Sequence, residues 1–162
     1  MSDSDQKDKY LQWLNDAYSM EIGLVPVLEN HAGDLDSNQM DSSHLRRHID
    51  ETKHHAELVK GCIGRNGGDV SKIKAGLAKA GGALHSVSTG AFSDELIKNA
   101  LGDYSAEHLE IASYISLISA AETCGDMETA ATCRTILQEE IRMAEYLRDS
   151  IPALTNSMLA KA

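Results

Sequence analysis

The sequence predicts an all-α fold, an antiparallel four-helix bundle with one long crossover containing a short helix. Three observations carry that prediction. Apolar residues recur at helical spacing over four long stretches. The 162 residues hold only two prolines and 4% aromatics, and nowhere show strand-period alternation bounded by turn residues. The connection between the second and third stretches, 66–92, is long, whereas the other two are short. The length suits a single domain, 1–162, able to bury a core.

The first helix is expected over about 5–30, with Leu11, Leu14, Tyr18, Val25 and Leu28 on one stripe. Pro26 should bend it by removing the backbone donor to Ile22. HAGDLDSNQM then reads as a turn. A second helix, 42–65, starts at cap candidates in DSSH and stops at Asn66-Gly67-Gly68. The crossover carries a weakly helical piece, VSKIKAGLAKAG. A third helix, 93–123, starts at the cap Ser93, and Cys124-Gly125-Asp126 forms a tight turn. The fourth, 127–150, should end before Pro152, leaving a tail, 152–162, with no assignable role. Short loops make helices one and two, and three and four, antiparallel hairpins. Joined by one long crossover, such hairpins form the ferritin-like arrangement.

Lys plus Arg is 15 and Asp plus Glu is 25, a net charge of −10. That balance argues against nucleic acid or an anionic membrane as partner, since both select basic surfaces. The apolar runs are too short for a membrane span. MSDSDQKDKY has no apolar signal-peptide core, and Cys62, Cys124 and Cys133 are odd in number without CxxC spacing. Reduced thiols in the cytoplasm are therefore expected.

The polar residues on the inward faces point to chemistry. With about 100° per residue, Leu45, Ile49, Thr52, Ala56, Val59 and Ile63 define the buried stripe of the second helix. His48 and His55 fall on its flank beside Cys62, Glu51 sits slightly farther round, and His54 points to solvent. Phase thus selects Glu51 with His55 over the i, i+3 pair Glu51 and His54. Glu21 lies in line with Leu14, Tyr18, Val25 and Leu28 on the first helix. Glu107 centres the stripe of Tyr104, Ile111, Tyr114 and Ile118, with Glu110 at its edge. On the fourth helix Glu140 joins Ala130, Cys133, Leu137, Ala144 and Ile151, while Glu139 faces away.

A lone inward acid is ordinarily hydrogen-bonded or edge-exposed, and a lone core histidine is ordinarily structural. His31, His44, His54 and His85 read as surface residues, and Tyr18, Tyr104 and Tyr114 as core. Agreement among four helices changes the balance. Isolated buried carboxylates are costly and tend to become neutral, and no Lys or Arg shares these stripes. Two divalent ions resolve the conflict, and oxygen with imidazole ligands suits iron or manganese better than a thiolate-preferring ion. The halves also echo each other: Glu21 to Glu51 is 30 residues and Glu107 to Glu140 is 33. The echo fails where His55 follows Glu51 by four but Ala144 follows Glu140.

DAYSMEIGLVPVL (16–28), HIDETKHHAELV (48–59), AEHLEIASY (106–114) and LQEEIRMAEYL (137–147) together resemble the YciF/YciE family of stress-associated ferritin-like proteins. The similarity runs from about Leu11 to Leu147 in the same order and at similar spacing. It implies a bacterial, often dimeric bundle with a di-metal carboxylate centre. Carried over, the ligands are Glu21, Glu51, His55, Glu107 and Glu140. The string EHLE is also similar to rubrerythrin, which adds Glu110; His48, His54 and Glu139 are secondary candidates. Ala144 stands where an Asp or His is expected. The cofactor expected is a pair of iron ions, with manganese or zinc as alternatives. The expected activity is a non-haem oxidoreductase acting on peroxide or dioxygen. Tyr18 or Tyr114 would serve as a one-electron relay, and an external donor is required because no rubredoxin-type cysteine motif exists. The alternatives are metal binding without turnover, and a metal-free helical dimer.

Overall fold

The computed structural model describes residues 3–71 and 94–160. Most of the predicted crossover helix, together with His85 and the cap Ser93, lies outside the described residues. Four long helices are present: α1 (Asp3–Ser37), α2 (Ser43–Arg65), α3 (Glu95–Thr123) and α4 (Met127–Leu159). The fold class is that predicted, a four-helix ferritin-like bundle.

Cross-helix partners fix the topology. Asp36 meets Arg46, Glu29 meets Lys53 and Glu21 meets His55, so α1 and α2 are antiparallel. Asp34 meets Asn99, His31 meets Asp103 and Glu21 meets Tyr114, so α1 and α3 are also antiparallel. Helices α2 and α3 therefore run parallel, as in a bundle with one long crossover. His55 with Glu139 and Arg65 with Glu128 set α4 against α2.

Two helix ends differ from expectation. Helix α1 runs on through the predicted turn to Ser37, and the chain reverses only at Asn38–Asp41, where Gln39 has φ 56°. The turn-forming residues Gly33, Asp34 and Asp36 are overridden by tertiary contacts. Ala32 is fully buried, the Asn99 amide donates to Asp34 at 2.9 Å, and His31 pairs with Asp103. Helix α4 likewise continues through Pro152 to Leu159. Both helix-internal prolines face solvent, so each ring sits where an i−4 carbonyl can turn to water. Beyond Pro152 the buried Leu154 anchors the last turns.

The α3–α4 turn is as expected. Gly125 takes φ 75°, a conformation glycine adopts without steric cost. Asp126 caps α4, accepting from the Thr129 amide at 3.0 Å. The same carboxylate accepts from Tyr10 of α1 at 3.0 Å and from Asn66 after α2 at 2.7 Å. Its pKa is lowered to about 2: burial pushes it up, but these donors outweigh burial. Asp126→Ala removes the cap and strands two donors, so thermal or urea unfolding should show a loss of roughly 2–3 kcal/mol.

The core is split. One apolar cluster, including Leu14, Tyr18, Val59, Cys62, Leu117, Cys133 and Ile136, fills the half toward the start of α1. A second, with Leu24, Leu28, Leu45, Ile49, Met143 and Leu147, fills the other. The polar centre lies between them.

Candidate metal centre

Each helix presents polar side chains to the gap between the clusters. Helix α1 contributes Glu21, three residues from each of Tyr18 and Leu24, on the buried stripe. Helix α2 contributes His48 and His55, seven residues apart and so two turns along one face. Helix α3 contributes Glu107 and Glu110, and α4 contributes Glu140. All six are at most 1% exposed.

Their donor atoms form two groups. Glu21, His55 and Glu140 make one, and His48, Glu107, Glu110 and Glu140 the other, each with atoms within 4.8 Å of one another. Glu140 belongs to both. Its Oε1 is 2.8 Å from His55 Nδ1 and its Oε2 is 3.9 Å from His48 Nε2. His48 Nε2 is 3.0 Å from Glu107 Oε1, and His55 Nδ1 is 3.7 Å from Glu21 Oε2.

Proximity here is not hydrogen bonding. Of the ten buried side-chain N and O atoms without a hydrogen-bond partner among the described residues, eight belong to these six residues. A native interior ordinarily leaves very few such atoms. Tyr114 does satisfy one carboxylate oxygen, donating its hydroxyl to Glu21 Oε1.

Charge follows the same pattern. Burial raises Glu21, Glu107 and Glu110 above the usual carboxylate range, Glu107 to about 7. For Glu110 the neighbouring charge of Glu140 adds to the rise. Burial disfavours protonated His55 and His48, but the surrounding carboxylates prevail and push them up to about 11 and about 8. Burial, followed by the charge of Glu21, raises Tyr114 well above the ordinary phenol range.

Of the sequence-predicted residues, Glu21, His55, Glu107, Glu110 and Glu140 are brought together. Glu51 is not in either group; it is half-buried with Oε2 3.6 Å from His48 Nδ1. His48, a secondary candidate in the sequence, takes the inner place expected of Glu51. His54 is exposed, as expected. Glu139 corrects the outward reading: its Oε2 is 2.6 Å from His55 Nε2. Glu51 and Glu139 thus stand behind the two imidazoles, the place where carboxylates orient histidine rings toward an ion. His31 corrects the surface reading, being buried with Nδ1 2.7 Å from Asp103. Tyr18 is core, as expected, and Tyr114 is both core and bonded to Glu21.

The donor set fits a pair of divalent ions. Four carboxylates and two imidazoles are the complement that di-metal carboxylate bundles draw from their helices, and four negative charges balance two doubly positive ions. The distribution is unusual. Helix α4 offers Met143 and Ala144 one turn beyond Glu140, and α2 supplies the second imidazole through His48.

Fold and site together define a ferritin-like bundle with a buried carboxylate–imidazole cluster able to hold metal. A family model described as a domain of unknown function, DUF892, matches residues 5–160, and the chain belongs to that family. Solved structures agree. A protein from Xanthomonas campestris is 27% identical over 97% of this chain and 97% of its own, with a TM-score of 0.77. The E. coli stress protein YciF superposes with a TM-score of 0.76 at 21% identity, covering 93% of this chain and 97% of that one. Desulfovibrio desulfuricans bacterioferritin, which has a diiron site, gives 0.73 at 22% identity over 99% and 90%.

Proposed function

We propose that Glu21, His48, His55, Glu107, Glu110 and Glu140 hold two divalent ions, and that the chain is a non-haem oxidoreductase acting on peroxide or dioxygen. Iron is the favoured metal, with manganese or zinc as alternatives. Eight orphaned donor atoms converging from four helices carry this reading, because two divalent cations satisfy and neutralise them together. The bacterioferritin likeness supports the fold side of it, and the diiron site of that relative supports iron. When bound, two adjacent redox ions supply electron exchange with an O–O bond.

The protein's own residues prepare that chemistry. The apolar clusters on either side exclude water and strengthen every charge interaction at the centre. Donation from Tyr114 fixes the Glu21 carboxylate, and the same contact makes Tyr114 the better-placed electron relay; Tyr18 lies in the apolar cluster. Glu139 draws the Nε2 proton of His55 outward, leaving Nδ1 for the ion, and Glu51 backs His48. An external reductant completes the cycle. A homodimer in the cytoplasm belongs to the same proposal, and the exposed Trp13, Leu109 and Ile115 offer apolar surface for the pairing.

A second reading, metal binding without turnover, is favoured by the near-complete burial of the centre. One experiment separates the two. Protein loaded anaerobically with Fe(II) and mixed with peroxide should oxidise two irons per chain at least about tenfold faster than free iron. A rate equal to that of free iron, or of the Glu107→Ala variant, with stoichiometric uptake retained, leaves only the second reading.

A further inference from the structure

A cavity of about 310 Å³ opens at the far end of the bundle, where α1 and α4 finish. Leu35, Leu45, Leu96, Met143, Leu147 and Leu154 give it an apolar wall. Its mouth lies at Asp41 and Ala153, both exposed. None of the six residues of the metal centre lines it. The volume falls in the range of small-molecule sites, which are mostly apolar with a few placed polar groups.

The placed polar group is His31. It is 7% exposed, and its Nδ1 is 2.7 Å from the Asp103 carboxylate. With Nδ1 held by that carboxylate, Nε2 is the ring nitrogen left to meet a ligand, and the neutral ring accepts there. The hydrogen bond His31 makes to Asp103 engages Nδ1 alone. A ligand hydroxyl can donate to Nε2.

Charge narrows the class further. Among the described residues no Lys or Arg lines the cavity, whereas Asp41 and Asp103 do, which disfavours an anionic head group. Shape and softness narrow it again. Met40 and Met143 offer thioethers, and Tyr146 an aromatic ring, surfaces suited to a flat aromatic body. We propose that this cavity binds a small neutral phenol, its ring between the leucine and methionine walls and its hydroxyl donating to His31 Nε2. The site shares no residue with the metal centre.

Calorimetric titration of the full-length, metal-free chain tests this, with β-naphthol as ligand and naphthalene and β-naphthoate as controls. One β-naphthol per chain should bind saturably, and each control about tenfold more weakly. His31→Phe should weaken β-naphthol about tenfold and leave naphthalene unchanged. Ala100→Phe, which fills the cavity from its wall, should abolish binding of both. If His31→Phe does not fold, the ligand series on the wild type and Ala100→Phe decide the matter. The proposal is overturned by an absence of saturable β-naphthol binding, by β-naphthoate binding as tightly, or by Ala100→Phe binding β-naphthol normally.

Discussion

Glu140→Gln should remove both ions from the chain at once, whereas Glu21→Gln should remove one. The difference follows from position. Glu140 is the single residue common to the two donor groups, and its oxygens face both imidazoles. Glu21 serves only the group with His55. Elemental analysis after desalting should therefore read no metal for the first variant and one equivalent for the second. Stability should follow occupancy. Each ion present at a hundredfold excess over its dissociation constant adds about 2.7 kcal/mol. Losing both amounts to about 5 kcal/mol, which for a chain of this size lowers the melting temperature by roughly 10–20 °C. Glu51→Ala and Glu139→Ala provide the contrast. They remove carboxylates that orient imidazoles, so affinity should fall about 10–100-fold with stoichiometry unchanged. A Glu140→Gln protein that still carries two equivalents would rule out a shared ligand.

The carboxylates of this centre were legible in the sequence because a buried acid interrupts an apolar stripe, and four stripes were interrupted. Helix α2 was harder. Phase sets His48 on the flank of the buried stripe and Glu51 about 60° farther round, so phase favours the histidine that the ligand set passes over. Chemistry points the same way. A neutral imidazole is cheaper to bury than a carboxylate, and the seven-residue interval from His48 to His55 places both on one line. Seen that way, Ala144 leaves no vacancy in the donor set, because the second histidine stands on α2. The helix ends were misread for another reason. Gly33, Asp34 and Pro152 are local breakers, and contacts distant in sequence, Asn99 to Asp34 and Asp103 to His31 among them, outweighed them. Those contacts also turned His31 inward. No local pattern announces a partner 72 residues away.

Without metal, the protein should be less stable at about pH 8 than at about pH 5, the reverse of ordinary acid denaturation. The sign comes from the centre. Burial raises Glu107 from 4.5 to about 7. Its contribution is thus fully present below pH 4.5 and is lost as pH rises through 7. Glu21 and Glu110 move in the same direction, again mainly through burial. His55, raised from 6.5 to about 11 by carboxylates that overcome its burial, begins to lose its contribution above 6.5. Asp126 works the other way, but its window lies between 3.8 and about 2, outside the range measured. At about 1.4 kcal/mol per pKa unit, Glu107 alone amounts to on the order of 3 kcal/mol. Bound ions reverse the trend, because they compete with protons for the same atoms and bind more tightly as the pH rises. Melting curves in chelator and in saturating Mn(II), taken from about pH 5 to about pH 8, should therefore diverge. The chelated protein should drop by several degrees while the loaded protein holds or gains. A chelated protein that instead grows more stable toward pH 8 would mean that its buried carboxylates are already ionised and satisfied without metal, and the centre would then need no ions to exist.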